Sequence, residues 1–232
     1  DDCSSRGLGD VYKRQYVQSE INMLMKVAEK FNFKVNTFTH ILEGYKVADI
    51  MASHGAGGAS FADWWAFKNE VKEAIPYNAA LMSQAGVVTA INSDNREMAR
   101  RLNQEAGKTI KYGNLSEVEA MKLVTLNPAK LLNLDHRMGS IKIGKDADLV
   151  LWNEHPLSIY SKPLKTIVDG KIYYDIEEDE ILREEIKRER ARIISKMKNS
   201  DTPVGGRRKP IKTAHFELTC EDEYDYQSTS EN

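Results

Sequence analysis

Hydrophobic positions begin to recur with a helical period at Ser19. Ile21, Leu24, Met25, Ala28 and Phe31 line one face, and Lys26, Glu29 and Lys30 fall between them, which predicts an amphipathic helix. Residues 34–39 form a short β-rich run with His40 at its C-terminal end. A second helix is expected over residues 45–53, stopped by Gly55, and the glycine-rich stretch 55–63 should hold a short strand. A helical passage over 64–74, a break at Pro76 and a shorter helix ending near Gly86 come next. The continuous β-branched run 87–91 has the character of a strand buried on both faces. It ends at Asn92-Ser93-Asp94, and a helix over about residues 95–111 starts at once, with Asp94 and Glu97 spaced as a capping box. Strands alternating with helices argue for parallel βα units, in a barrel or an open sheet.

After Gly113 the pattern changes. Ser116 and Glu119 make a second capping box, and Asn127-Pro128 is a helix start with its cap followed by proline. Strands over 149–152, 166–168 and 171–174, the last two joined by Asp169-Gly170, predict a small antiparallel unit. A long charged helix over 177–198 carries a narrow stripe of Leu182, Ile186, Ile193 and Met197, and the acidic tail beyond Asn199 has the composition of a disordered segment. The expected division is 16–126, 127–176, 177–198 and 199–232. Residues 1–15 show no helix or strand period and read as adaptor-derived, non-native sequence, so they are set aside from the fold.

Composition narrows the functions. A formal net charge of −2 leaves no electrostatic footprint for nucleic acid. No apolar run approaches the roughly 20 residues of a membrane helix. Cys3 and Cys220 lie at the two extremes of the chain, so neither a disulfide framework nor a cysteine metal site is expected, and the compartment stays open.

A hydrolytic metal site needs donors converging from the C-terminal ends of separate strands, with a carboxylate to manage the proton of the attacking water. His40 and Asp94 both stand at strand ends. Each has a plainer role open to it: His40 in loop packing, Asp94 as a helix N-cap. His54 precedes Gly55 at a helix end, where an imidazole interacts well with the helix dipole. Trp64-Trp65 is more typical of helix core than of a substrate platform.

The run Gly139-Ser140-Ile141-Lys142-Ile143-Gly144-Lys145-Asp146-Ala147-Asp148-Leu149-Val150-Leu151-Trp152, with Val168-Asp169-Gly170-Lys171 beyond it, resembles the C-terminal β-sandwich signature of the amidohydrolase superfamily. Asn127-Pro128-Ala129-Lys130-Leu131-Leu132 matches the helix that enters that sandwich, and residues 79–94 are similar to the imidazolonepropionase-like branch. The resemblance covers about residues 16–192. It implies an α/β fold: a partial (β/α)8 TIM barrel, its last three βα units present, followed by the C-terminal part of a small composite β-sandwich. It also implies a metal-dependent hydrolase of carbon–nitrogen bonds in cyclic amides, with a divalent metal, zinc foremost, and a small-molecule substrate. His40 and Asp94 carry over as metal ligands, and Asp94 also as general base. Glu43, Tyr45, Lys46, Tyr77 and Asn78 are placed by position to meet substrate. The family's H-x-H pair occurs nowhere in the chain, and its strand-5 histidine should fall just before Tyr16, where Arg14-Gln15 stand. The expectation is therefore a truncated enzyme, inactive by itself, from a parent compatible with homo-oligomers. The competing reading is a non-catalytic binding or scaffold protein that keeps the fold.

Overall fold

The computed structural model describes residues 11–62, 64 and 69–199, in two compact units that meet in sequence after Ile176. The first holds a four-stranded parallel sheet in the order β1-β2-β3-β4: β1 (Val11–Arg14), β2 (Val35–Thr39), β3 (Gly57–Ser60) and β4 (Thr89–Ile91). The first of these corrects the sequence reading. Residues 11–14 lie in the stretch set aside as structureless, yet they pair with β2 in parallel, Val11 against Val35 and Arg14 against Thr39. Strand β1 is a partner for the His40 strand β2, and four βα units are present rather than the expected three.

The helices joining these strands supply the core. In α1 (Gln18–Lys30) the apolar stripe buries Ile21, Met25 and Ala28 completely, but it stops there, and Phe31 is exposed beyond the helix end. Those residues pack with Val35, Phe38 and Ile41 from the β2 region and with Met51 of α2 (Ala48–His54). A 3₁₀ turn, Gly44–Lys46, replaces the start of the expected second helix. Strand β3 is made of small residues because neighbours crowd both faces. A Cβ on Gly57 would lie 2.1 Å from Leu131 Cδ2, inside any tolerable contact.

His54 ends α2 before Gly55 as expected, and it does more. Its side chain is buried, Nε2 accepts the Val35 N–H at 3.2 Å, and Nδ1 therefore carries the proton that faces Glu29 Oε1 at 3.1 Å. The imidazole satisfies the first donor of β2 as well as ending a helix.

After α3 (Asn78–Gln84) and β4, the single helix expected over 95–111 is divided into α4 (Arg96–Ala99) and α5 (Leu102–Gly113). Of the helix expected over 64–74, residues 65–68 lie outside the described residues, and a 3₁₀ turn, Asn69–Val71, comes directly after them. Ser116 caps α6 (Glu117–Lys122) as expected, its Oγ accepting from Glu119 N at 3.2 Å. Asn127 is not a cap. It sits inside α7 (Leu126–Leu131), buried, and its Nδ2 donates to Thr89 O at 2.8 Å, tying that helix to β4.

Strands β5 (Leu149–Trp152), β6 (Pro163–Val168) and β7 (Lys171–Asp175) form an antiparallel sheet. Asp169 and Gly170 both have positive φ, 50° and 76°, the geometry of the tight hairpin turn their sequence predicts. Lys145 of the signature run fastens the turn before this sheet, its ammonium bonding to Asp135 O, to Met138 O and to Ser140 Oγ.

The second unit contains α8 (Ile176–Lys198), which buries none of its residues. Among the described residues no helix is long and apolar enough to cross a membrane. The tail expected to be disordered lies outside the described residues.

Candidate functional site

Parallel strands bring their C-terminal ends to one edge of the sheet, and the loops that leave them meet there. His40 follows β2 directly and holds a left-handed backbone, φ 62°. That conformation is uncommon for a residue with a Cβ and persists where surrounding contacts fix it. Its Nε2 lies 2.8 Å from Asp94 Oδ2, across 54 positions of sequence, and the two side chains are 12% and 20% exposed. Set against a carboxylate oxygen, Nε2 is the donor of this pair. Nδ1 is 3.3 Å from the Thr39 hydroxyl. The two residues singled out as metal ligands are thus brought together.

Asp94 is free to do this because another residue took the helix cap. Asn95 Oδ1 accepts from Glu97 N at 2.8 Å and from Met98 N at 3.2 Å, so the cap falls one residue after Asp94 and the expected box does not form. Asn95→Ala should cost about 1 kcal/mol of stability. A thermal melt of Asn95→Ala that matched wild type would return the cap to Asp94 and remove this account of its freedom.

Aromatic rings enclose the imidazole. Tyr16 and Phe61 meet it edge-on, with centroids 5.9 and 5.2 Å away, and Trp64 stacks on Phe61 at 4.9 Å. The sequence reading passed over Tyr16 and Phe61 and assigned Trp64 to helix core. The usable signal was position: Phe61 follows β3 as His40 follows β2, and Tyr16 stands two residues beyond β1.

The residues expected to meet substrate are placed differently. Glu43 is buried, and Oε2 accepts the Gln18 N–H in the first turn of α1 and the Lys46 ammonium, both at 3.2 Å. A carboxylate there satisfies an open helix donor and complements the helix dipole. Partial desolvation lowers the Lys46 pKa, but hydrogen bonding to Glu43 and the negative charge around it outweigh that and hold it above the ordinary lysine value. Asn78 is fully buried and works as a bracket: Oδ1 accepts from Tyr45 N, and Nδ2 donates to Ile41 O and to Ser60 Oγ. Tyr45 donates its hydroxyl to Glu73 O, and Tyr77, half-exposed, meets Tyr112 edge-on. Among the described residues these contacts lead away from His40 and Asp94. Only Tyr45, Lys46 and Tyr77 keep side-chain surface for a ligand.

Imidazole nitrogen and carboxylate oxygen are both donors that zinc accepts, but a closed site takes four and a catalytic one three. Among the described residues no group of three or more histidine, cysteine, aspartate or glutamate side chains could hold a metal ion. The residues present fit part of a metal site and do not fit a whole one.

Residues 65–173 match the amidohydrolase family. The chain is 29% identical over 175 residues to amidohydrolase tasK of Hapsidospora irregularis, an alignment that covers 73% of this chain and 18% of that protein. It is 33% identical over 109 residues to the urease alpha subunit of Edwardsiella ictaluri, covering 40% of this chain and 19% of the subunit. The crystal structure of an amidohydrolase from Thermotoga maritima superposes with a TM-score of 0.66 at 28% identity, over 71% of this chain and 43% of that one. The chain thus spans less than a fifth of these curated relatives and under half of the solved structure. Residues 65–173 are thus similar to amidohydrolase-family sequence, and the α/β parallel-sheet fold is like that of the Thermotoga maritima amidohydrolase.

Proposed function

We propose that this chain supplies one side of the catalytic end of a metal-dependent hydrolase that cleaves non-peptide carbon–nitrogen bonds, of the cyclic amide type found in the imidazolonepropionase-like branch. The observation that carries the reading is the 2.8 Å contact between His40 Nε2 and Asp94 Oδ2, beyond the C-terminal ends of β2 and β4. In this role Asp94 takes a proton from water as the water oxygen bonds to the amide carbon. The same proton then goes to the departing nitrogen as the carbon–nitrogen bond breaks. His40 donates to the other side of the Asp94 carboxylate group and fixes its orientation. The aromatic wall of buried Phe61 and half-buried Tyr16 and Trp64 keeps bulk water from the pair, and Tyr45, Lys46 and Tyr77 are the side chains left to meet a small-molecule substrate.

On this reading a divalent metal, zinc by donor chemistry, would be held by Asp94 and by His40 through a ring nitrogen that carries no proton, together with donors beyond this pair on the strands of a (β/α)8 barrel. The partial donor set and the short coverage of relatives support the view that the chain alone is inactive. Zinc titrated into the chain should bind weakly, hydrolysis should be undetectable, and His40→Ala or Asp94→Ala should remove what binding there is. Stoichiometric zinc retained through dialysis would show that a complete site exists and end the partial-site reading.

A non-catalytic scaffold is the second reading, and the absence of a third ligand among the described residues favours it. The two separate on one measurement: a protein that joins this segment to the remaining barrel strands hydrolyses cyclic amides under the first reading and does not under the second.

A further inference from the structure

Helix α8 runs for 23 residues with no buried side chain. Leu182, Ile186, Ile193 and Met197 are all exposed on it. At 3.6 residues per turn the four fall within roughly a 60° arc, a narrow continuous stripe. A shallow apolar groove runs beside Ile186 and Ile193, edged by Glu185, Glu189 and Arg190.

Two features of the sequence say what covers the stripe. Its spacing of four, seven and four residues reads the same in both directions. A second α8 laid antiparallel, with the twofold axis between Glu189 and Arg190, therefore sets Leu182 against the partner's Met197 and Ile186 against the partner's Ile193. Charge is divided about the same point. Residues 176–186 hold six acids and one base, and residues 187–198 hold six bases and one acid. An antiparallel pair lays each acidic half along a basic half and opposes the two helix dipoles, whereas a parallel pair lays like halves together. Arg183 and Lys187, on one flank of the stripe, are balanced within the helix by Asp179 and Glu184.

We infer that α8 is a self-association surface whose partner is the α8 of a second copy of this chain, packed antiparallel about Glu189 and Arg190. A closed twofold contact of this kind is isologous, so one patch serves both chains. It stands independently of the hydrolase reading.

Sedimentation equilibrium on the full chain tests it. Wild type should sediment at twice the chain mass. Ile186→Glu with Ile193→Glu places like charges together in either orientation, and should weaken association about a hundredfold or more. Ile186→Glu with Ile193→Lys loses the same apolar contacts but should associate measurably more tightly than the double-glutamate variant, because only the antiparallel pairing sets glutamate against lysine twice. A wild-type monomer up to the solubility limit would overturn the inference, as would a double-glutamate variant that remained dimeric. A glutamate–lysine variant that associated no more tightly than the double-glutamate variant would overturn the antiparallel arrangement. If wild type is monomeric and the double-glutamate variant melts earlier, the stripe packs on its own chain, and the inference is again lost.

Discussion

Asp94→Asn is expected to abolish hydrolysis, by roughly a thousandfold or more, in a protein that joins this segment to the barrel strands the proposed function calls for, while stability stays near wild type. The two halves of that expectation come from different atoms. General-base transfer contributes about 10²–10⁴ in rate, and an amide oxygen is too weak a base to supply it. Stability is spared because Asn95, not Asp94, holds the first N–H groups of α4. The isosteric amide also keeps an oxygen for the His40 Nε2–H, 2.8 Å away in the native pair, so the loop geometry survives. A helix-cap role would leave rate and stability both unchanged, since asparagine caps as well as aspartate. A loop-packing role would reduce both together. Near-native turnover by Asp94→Asn, measured with wild-type unfolding in denaturant, would take Asp94 out of the chemistry.

The range of each interaction decides whether the sequence disclosed it or hid it. Helix α1, β4 and the hairpin of β6 and β7 were legible because their signals are local: a 3.6-residue stripe, a β-branched run, an Asp-Gly turn. Strand β1 was missed because Val11–Arg14 has no pattern of its own, and its partner β2 lies two dozen positions away. The break between α4 and α5 falls at Arg100-Arg101, where neither glycine nor proline marks it. The capping of α4 was displaced by one residue because Asp94 and Asn95 are both good caps, and only the pull of His40 separates them.

The site divides along the same line. His40 and Asp94 were legible as strand-end residues, since parallel topology alone sends both to one edge of the sheet. Glu43 and Asn78 were assigned to substrate because polar residues just after a strand or before a helix usually face solvent. Their true partners, Gln18 N and Ser60 Oγ, are long-range, and a buried carboxylate or amide with matched partners leaves little in its own sequence neighbourhood to mark it. The aromatic enclosure of His40 was hidden for a related reason, as Tyr16 and Phe61 belong to different βα units.

Asn78→Ala should be the most destabilising of the substitutions considered, by about 3–4 kcal/mol. The side chain is 1% exposed and fills its space, so truncation opens a cavity and strips partners from Tyr45 N–H, Ile41 O and the Ser60 hydroxyl at once. Each buried group left unpaired costs about 1–3 kcal/mol, although the three share one pocket and water can recover part of the loss. In a unit of this size that corresponds to a fall in Tm of about 10 °C. The bracket also fixes the loop that runs from His40 through Glu43 to Tyr45, because Ile41 O and Tyr45 N are its two grips. Asn78→Ala should therefore loosen the His40–Asp94 contact as well, visible as a change in the His40 ring resonances below the melting transition. Asn78→Asp keeps an acceptor for Tyr45 N but turns a carboxylate oxygen toward Ile41 O, so it should fail to rescue. A Tm within about 2 °C of wild type for Asn78→Ala, an effect below about 1 kcal/mol, would mean that the bracket carries little load and that Asn78 is available for another role.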